Sequence, residues 1–393
     1  MKILIISEWF SDKMGYAENF FPKALGEIGH EVHLVTTDLQ VYGTSSDYDK
    51  VYGDYLGPRI VKQGIFKKDH FTLHRNSHNL SWRGLKIEDL EDKIIDINPD
   101  IVYCFEIFNE DTKLVCYLKN KYKYKIFCES RLHLSVFTPP KLIRDKLKLF
   151  INQIEGLLIS NKIETFYPIA PDVLFVINRY FLIPEKKCKV SSLGVDTDIF
   201  SPKLTLDQIK IIREDFQYTE DDIVCIYTGR FTDSKGPLIL AEAINYLHTL
   251  GYSNFKGLFI GQGESKYQNK IINLNGCKIH PFVEVNRLAD LYNSFDIGIW
   301  PLQESTSQLD AAACGMPIIL DANVKDNFRT EGNGLRYFNH DYKDLAIKIL
   351  SLSDKSKRKE LGVVGRNKIV DLYSWASIAK SRVSDFNKAI QHN

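Results

Sequence analysis

The sequence of 393 residues is short of several features, and each shortage excludes a class of protein. Its 51 Lys and Arg residues exceed its 50 Asp and Glu residues by one charge, whereas a general nucleic-acid binder needs a clear basic excess. It has no apolar run long enough for a transmembrane helix. The apolar part of the start MKILIISEWF is too short for a signal peptide and is typical of a buried first strand.

Cysteine is sparse and irregularly placed. The seven cysteines form no CxxC pair and have no regular spacing, which argues against a metal centre and against a disulfide framework. Several lie inside strand-like runs such as IVYCF and IVCIY. We therefore expect buried, reduced thiols in a cytoplasmic protein, and no bound metal.

What the chain does contain is an alternation of short apolar runs with longer helical patterns, the signature of parallel sheets wrapped by helices. The runs predict strands at Lys2–Ser7, Glu31–Thr36, Ile101–Phe105, Lys125–Glu129 and Val173–Ile177, then at Ile223–Thr228, Lys256–Ile260, Lys278–His280, Ile297–Trp300 and Pro317–Leu320. The length also suggests two cores rather than one. The expected fold class is α/β, with two Rossmann-like, doubly wound domains.

A cluster of Gly, Pro and turn-forming Asp in SSLGVDTDIFSPK predicts a linker between the two groups of strands. The predicted segments are an N-terminal Rossmann-like domain at 1–190, the linker at 191–203, a C-terminal Rossmann-like domain at 204–372, and a C-terminal helix at 373–393 that packs back on the first domain. Two domains joined by a linker imply a cleft, which is a favoured place for a ligand.

The stretch GRFTDSKG (Gly229–Gly236) follows an apolar strand and precedes an amphipathic helix. It places Arg230 and Lys235 at the carboxyl end of that strand, where open α/β sheets bind ligands. The helix that begins near Pro237 would direct its positive end at the same point. Two cations and a helix N-terminus predict a site for a multiply charged anion such as a diphosphate.

A second polar loop follows the strand FDIGIWP. In QESTSQLDAAACGMPII (Gln303–Ile319), residues 305–308 form this loop, and Leu309–Cys314 is expected to be a helix stopped by Gly315. The loop offers N–H groups and hydroxyls to a phosphate or a sugar, and Asp310 could accept hydrogen bonds from a vicinal diol. Alternatively, Ser and Thr only cap this helix while Asp310 complements its dipole.

In their order and spacing, these motifs resemble the family-4 retaining glycosyltransferases of glycosyl transferases group 1, which have the GT-B fold. The resemblance covers nearly the whole chain and also includes GHEVHLVT, LGVDTDIFSP, GQGE, DIGIWP and YSWASIAKSRV. It implies two domains that face each other across a cleft, and a nucleoside diphosphate sugar as the donor. It also implies that Arg230 and Lys235 hold the diphosphate, with no metal and no further cofactor.

By position, the resemblance implies donor contacts for ten further residues. They are Gly15, Gly229, Gly261, Phe282, Val283, Ser305, Ser307, Gln308, Leu309 and Asp310. Asp310 takes the place of a glutamate that binds the ribose hydroxyls, and Phe282 and Val283 lie where the family holds the nucleobase. Gly15 lies in the N-terminal loop that faces the donor phosphate and the acceptor.

The chain departs from the family pattern at two further places. Spacing puts Leu302 where the first of two acidic residues is expected, and Glu304 would replace it as a sugar-hydroxyl contact if the loop were two residues shorter. Where many members have His-Asp, this chain has CESRLH, which puts Glu129 and Ser130 at the strand end. These residues would orient the acceptor or polarise its hydroxyl. Alternatively, they belong to a surface loop with an Arg–Glu ion pair.

The main hypothesis is a metal-independent transfer, with retention, of a sugar from a nucleoside diphosphate sugar to a hydroxyl of a glycan or lipid-linked glycan. Another nucleotide-sugar enzyme such as an epimerase, and an inactive member acting as a binding or scaffolding subunit, stay as alternatives. Basic and aromatic stretches within 119–150 would suit a peripheral contact with the inner face of the membrane. They would equally suit a solvated helix with an ordinary core stripe.

Overall fold

The computed structural model describes residues 1–81, 84–134, 137, 139, 142–302, 305–324, 327–338 and 340–391. The chain divides into two compact units. The first consists of Met1–Gly194 together with the segment that begins at Ile378, and the second is Val195–Ser377. Each unit has its own helix-wrapped sheet and its own apolar core.

The strands of the first unit form one large sheet and one separate antiparallel pair. They are β1 (Lys2–Ile6), β2 (Glu31–Thr37), β3 (Gly64–Lys68), β4 (Phe71–Asn76), β5 (His78–Ser81), β6 (Gly84–Ile87), β7 (Ile101–Phe105), β8 (Lys125–Ser130) and β9 (Ile163–Pro168). The large sheet has the order β3-β4-β2-β1-β7-β8-β9, and only its edge strand β3 is antiparallel to its neighbour. The parallel part is a doubly wound sheet that reverses between β1 and β7.

Helices cover this sheet. They are α1 (Ala17–Glu27), α2 (Tyr48–Val51), α3 (Gly53–Leu56), α4 (Leu90–Ile97), α5 (Glu110–Tyr122), α6 (Ile143–Ser160) and α7 (Pro171–Phe181). The central strands β1 and β7 are apolar almost throughout and buried, as expected for parallel strands covered on both faces.

The second unit has a single sheet in which every strand pair is parallel. Its elements are α8 (Leu206–Asp215), β10 (Ile223–Thr228), α9 (Pro237–Thr249), β11 (Phe255–Ile260), α10 (Ser265–Ile272), β12 (Cys277–His280), α11 (Val285–Ser294), β13 (Ile297–Trp300), α12 (Ser307–Ala313), β14 (Ile318–Asp321), β15 (Gly334–Tyr337), α13 (Tyr342–Leu350) and α14 (Lys355–Lys368). A last helix, α15 (Trp375–Gln391), begins in this unit and ends in the first. The strand order β12-β11-β10-β13-β14-β15 is that of a Rossmann sheet.

Nine of the ten predicted strands are present, with ends that differ by at most one residue. The prediction of a strand at Val173–Ile177 is wrong, because this run lies inside α7. Pro171 occupies the first turn of that helix, and Val173, Val176 and Ile177 form its buried face. A short β-branched run cannot be assigned by its apolar character alone, since both a strand and a buried helical turn satisfy it.

The state of the cysteines and the character of the helices are as follows. All seven cysteines are free thiols, five of them buried. Within the part of the chain that the structure describes, no helix is both long enough and apolar enough to cross a bilayer.

Candidate active site

The two polar motifs follow the two strands between which the second sheet reverses. The chain starts this sheet at β10, runs outward to β12, and returns to the other side of β10 with β13. Gly229 directly follows β10, and Pro301 directly follows β13. Doubly wound sheets bind ligands outside the carboxyl ends of their strands at this reversal. The strand order therefore brings both predicted loops to the expected ligand site of this unit.

The GQGE turn (Gly261–Glu264) contacts the backbone of the loop that carries Arg230. Phe231 N donates to the carbonyl oxygen of Gln262 at 2.9 Å. Gly261 has a φ of +147°, and a Cβ at this position would lie 1.9 Å from the carbonyl oxygen of Gly229. Only a glycine allows the two backbones to come this close. The turn therefore fixes the position of the Gly229 backbone, and Gly229 directly precedes Arg230.

The two predicted cations lie in the loop between β10 and α9. Arg230 is exposed, and Lys235 is half-buried. The N–H groups of Lys235 and Gly236 both donate to the carbonyl oxygen of Thr232 at 3.1 Å, which makes a tight turn. Gly236 is the N-cap, with a φ of 64°, and Pro237 begins the 13-residue helix. A helix of this length contributes a positive end beside the two side chains, as an anion site requires.

The loop after β13 lies against the first loop. The side chain of Leu302 packs on Gly236, so close that a Cβ there would lie 2.6 Å from Leu302 Cγ. Below this contact, Trp300 Nε1 donates to the carbonyl oxygen of Thr228 at 3.0 Å. The ends of β10 and β13 are therefore tied both by backbone pairing and by side chains.

Tyr292, from α11, connects the end of β10 to the start of α12. Its hydroxyl lies 2.7 Å from Thr228 Oγ1 and also interacts with the side chain of Ser307. Burial raises the pKa of Tyr292 well above its usual value, and the nearby carboxyl of Asp310 adds to this rise. The phenol stays protonated, so it can hold both neighbours as a neutral donor and acceptor.

Arg329 holds the polar loop that begins at Ser305. It ends a short 3-10 turn after β14, and its Nη1 donates to the carbonyl oxygen of Ser305 and to Gln308 Oε1, both at 3.0 Å. Gln308 and Leu309 are buried, whereas Ser305 and Ser307 are half-buried. Ser305 Oγ accepts a hydrogen bond from the N–H of Ser307 at 3.3 Å. A local hydrogen bond of this kind is expected if the Ser and Thr residues only cap the helix.

Asp310 lies in the first turn of α12, half-buried, and its environment favours the neutral acid. Burial, and secondarily the carboxylate of Asp196, raise the pKa of Asp310 to about 8. A neutral carboxyl does not complement a helix dipole as a carboxylate does. This weakens the alternative in which Asp310 only stabilises its own helix. A neutral carboxyl can, however, both donate to and accept from the hydroxyls of a diol.

The predicted nucleobase residues come directly after β12. Phe282 is exposed and Val283 is half-buried. The carbonyl oxygen of His280, at the end of β12, accepts from the N–H of Gly261 at 2.9 Å. This bond connects the segment to the GQGE turn, and through that turn to the Gly229 loop. Glu304, the predicted sugar contact, lies outside the described residues.

In the first unit, Glu129 is the penultimate residue of β8 and belongs to a buried ion cluster. Its carboxylate accepts from Arg131 Nε at 2.8 Å and from the Tyr103 hydroxyl at 3.1 Å. Arg131 Nη1 donates to Glu18 Oε1 at 2.7 Å. The Arg–Glu pair of the alternative interpretation is therefore present, but Glu129 is buried rather than part of a surface loop.

Carboxylates also follow the two strands at which the first sheet reverses. Glu106 directly follows β7 and accepts from Ser130 Oγ at 2.9 Å and from the Arg131 N–H at 3.0 Å. Glu8 lies just beyond β1, where burial, followed by the charges of Asp111 and Glu106, raises its pKa to about 7. Gly15 is exposed in the same loop, before α1.

The Asp-x-Asp sequence of the linker makes a turn. Asp196 Oδ1 accepts from the N–H groups of Asp198 and Ile199, both at 3.0 Å. Within the described ranges, no group of three or more His, Cys, Asp or Glu side chains is arranged to hold a metal ion.

Comparison with known proteins agrees with this geometry. Residues 222–355 match the model of the family described as glycosyl transferases group 1. This segment is therefore similar to that family. The matched range contains both loops at the reversal of the second sheet, including Arg230, Lys235 and Asp310.

Individual relatives and solved structures extend the likeness. An uncharacterized glycosyltransferase of Methanocaldococcus jannaschii is 25% identical over 228 residues, which are 54% of this chain and 56% of that protein. The chain thus spans about half the length of the curated relatives it matches. The sucrose-phosphate synthase structure from Thermosynechococcus elongatus has a TM-score of 0.70 at 15% identity, covering 100% of this chain and 99% of that one. The structure of Anabaena HepE in complex with UDP has a TM-score of 0.68 at 14% identity, covering 99% and 100%. The predicted α/β, GT-B fold is confirmed.

Several residues around these loops could not be identified from the sequence. Tyr292, Trp300 and Arg329 hold the loops from elements distant in the chain, and no local pattern distinguishes them from core or surface residues. Glu8 and Glu106 carry a usable signal, because each is an acidic residue at the carboxyl end of a predicted strand.

Proposed function

We propose that this protein transfers a sugar from a nucleoside diphosphate sugar to a hydroxyl of a glycan or lipid-linked glycan. The second unit binds the donor, and the first provides the acceptor contacts. The transfer retains the anomeric configuration and needs neither a divalent metal nor a further cofactor.

One observation carries the proposal: Arg230 and Lys235 lie in the loop that joins β10 to α9 at the reversal point of a Rossmann sheet. This is where such sheets bind nucleotides, and a helix N-terminus beside two cations suits a diphosphate. The bound UDP of Anabaena HepE, a protein of the same fold, supports a nucleoside diphosphate as the ligand class.

The chemistry that these groups would supply is stabilisation of charge. As the bond between the sugar and the diphosphate breaks, negative charge grows on the departing phosphate oxygens. Arg230 and Lys235 would pair with that charge, and the dipole of α9 would add to the effect. Asp310, with its raised pKa, would exchange hydrogen bonds with the ribose hydroxyls without adding a negative charge beside the diphosphate. Glu304 would contact the transferred sugar, and the backbone of residues 305–309 would complete the donor contacts.

In the first unit, the acceptor would meet the carboxylates at the reversal of the sheet. Glu8 is half-buried, and with a pKa of about 7 it would be partly ionised near neutral pH. A carboxylate in that state can accept a proton from a sugar hydroxyl or hydrogen-bond to it. Glu129 would act on the acceptor indirectly, by holding Arg131 in place.

The test begins with the donor. A panel of nucleotide sugars is screened by thermal shift, and the best ligand is titrated against the wild type, Arg230→Ala, Lys235→Ala and the control Lys355→Ala, an exposed lysine on α14. Arg230→Ala and Lys235→Ala should each weaken the binding of nucleoside diphosphate. Each should also lower the rate at which nucleoside diphosphate is released from the donor by about a hundredfold. The control should leave both unchanged. Undiminished transfer in Arg230→Ala and Lys235→Ala would contradict the assignment of the diphosphate site.

Two measurements address the finer claims. The anomeric configuration of the product, compared with that of the donor by NMR, tests retention. Turnover with excess chelator tests metal independence, which predicts an unchanged rate. Binding of a nucleotide sugar without any transfer to glycan or lipid-linked acceptors would favour the scaffolding alternative.

A further inference from the structure

The helix α6 presents an apolar stripe to solvent rather than to its own unit. Large apolar side chains recur along it at intervals of three, four and one residues, and their exposed fractions range from 38% to 86%. They are Ile143, Leu147, Phe150, Ile151, Ile154, Leu157 and Leu158. At 3.6 residues per turn these positions fall within about 120° of the helix circumference. They therefore form one continuous face.

The opposite face of α6 is the one that packs. Its fully buried residues are Gly156, Ile159 and Ser160, on the side away from the stripe. A Cβ at Gly156 would lie 2.0 Å from the carbonyl oxygen of Phe181, so the helix backbone touches the end of α7. This contact fixes the rotation of α6 about its axis. The helix cannot roll its apolar stripe inward without losing the contact.

The exposed stripe is too large to be incidental. Seven side chains with roughly 100 Å² exposed apiece make a patch of about 700 Å², above the 300–600 Å² of the largest patch on a typical monomer. Leu142, directly before the helix, is also exposed. A contiguous apolar face of this size marks a surface that is covered in use.

Basic side chains border the stripe. Arg144 lies along one side of it and Lys146 along the other, with Lys148 beyond Arg144, and all three are exposed. Arg144 Nε also lies 3.7 Å from Asp145 Oδ1, a solvent-exposed pair of adjacent residues that lipid phosphates can replace. An apolar stripe between long cationic side chains is the pattern of a helix lying in a bilayer interface, where the charged ends reach the headgroups. A second copy of this chain would bring the same cations against each other. The charge pattern therefore favours an anionic lipid surface over a dimer.

The other basic stretch, KNKYKYK, is engaged within the unit. Lys119 and Lys125 pair with Glu164 at 2.9 and 3.9 Å, and Lys121 pairs with Glu91 at 2.8 Å. These partners offset three of the four lysine charges of this stretch. The membrane contact suggested for residues 119–150 is therefore assigned to the second basic stretch, at the start of α6. It then extends along the rest of that helix.

We propose that α6 is an interfacial membrane helix whose Ile143–Leu158 stripe inserts among the acyl chains of an anionic bilayer, with Arg144, Lys146 and Lys148 at the phosphate headgroups. This inference deepens the proposed membrane contact but does not depend on sugar transfer. Vesicle binding needs neither donor nor acceptor, so its failure would leave the transfer proposal standing.

The experiment uses the full chain and vesicles of phosphatidylcholine, with or without phosphatidylglycerol. The test variant is Leu147→Glu/Leu158→Glu, and its matched control is Leu206→Glu/Ile211→Glu on α8, where both residues are also exposed. A charge variant, Arg144→Gln/Lys146→Gln, is compared with Lys355→Gln/Lys359→Gln on α14. All replaced side chains are largely solvent-exposed, and circular dichroism verifies the fold of each variant.

Wild type should cosediment with the anionic vesicles, and more weakly as salt rises. The test variant should bind at least about tenfold more weakly, since each leucine would contribute roughly fivefold or more on insertion. The charge variant should lose about tenfold or more on anionic vesicles only. Each control should bind like the wild type. No wild-type binding, or equal binding by test and control variants, would overturn the proposal. So would a dimer in solution that Leu147→Glu/Leu158→Glu converts to monomer, which would assign the stripe to a second copy.

Discussion

The contact between the GQGE turn and the Gly229 loop makes Gly261→Ala the sharpest probe of the candidate site. The new Cβ would lie 1.9 Å from the Gly229 carbonyl oxygen, whereas real Cβ contacts are essentially never under 3.0 Å. The two backbones must therefore separate by about 1 Å. Because Gly229 directly precedes Arg230, the displacement passes to the start of the arginine side chain.

The cost of Gly261→Ala has two parts. A φ of +147° is a conformation that alanine rarely adopts, and forcing it there costs about 1–3 kcal/mol. Relieving the overlap costs about another 1–3 kcal/mol. The free energy of unfolding should fall by about 2–6 kcal/mol, which lowers the Tm of a unit of this size by roughly 4–24 °C.

Gly251→Ala is the matched control. Gly251 has a φ of +91°, but no atom lies within 4 Å of its added Cβ, so the substitution introduces backbone strain without overlap. We expect a loss of about 1–2 kcal/mol. Donor turnover should be unaffected, because Gly251 follows α9 at the end remote from the Arg230 loop.

The assay combines thermal unfolding with the release of nucleoside diphosphate from the donor that the screen identifies. A displacement of about 1 Å in a positioning loop can lower turnover about a hundredfold. Gly261→Ala should therefore lose far more activity than Gly251→Ala when both are assayed well below their transition temperatures. If the two variants had equal stability and equal turnover, the close approach of the two loops would be wrong.

Three further predictions follow from buried groups. With the pKa of Asp310 raised from 3.8 to about 8, the folded state keeps a proton that the unfolded state releases, so wild-type stability should fall as pH rises from 4 to 8. Asp310→Asn should flatten that slope in denaturation curves, and an unchanged slope would assign the pH dependence elsewhere. Arg329→Ala frees the Ser305 loop and should raise the KM for the donor more than it lowers kcat. A selective fall in kcat would contradict a positioning role. Glu129→Gln breaks the buried pair with Arg131 and should cost roughly 3 kcal/mol in urea unfolding. A loss below 0.5 kcal/mol would show that the pair is not buried in solution.

Much of the fold could be predicted because local sequence patterns indicate where the strands lie. Apolar runs of strand length located nine of the ten predicted strands to within one residue. The failure at Val173–Ile177 has the same origin, since five apolar residues fit a strand and a buried helical turn equally well. Strands β3 to β6, β9 and β15 went unpredicted. Lys67 and Lys68 in β3, and the polar residues of β5, give little apolar signal.

The sequence by itself determined the α/β class, the two chemical motifs and their places after strands, because these depend on residues that are neighbours in the chain. The tertiary structure alone decided which strands lie side by side, and so brought the Gly229 and Ser305 loops together at one reversal point. It also decided that the apolar stripe of α6 faces outward and that Glu8 and Asp310 have raised pKa values. The physical reason is that packing, burial and charge interactions join residues far apart in the chain, and no local pattern encodes such pairings.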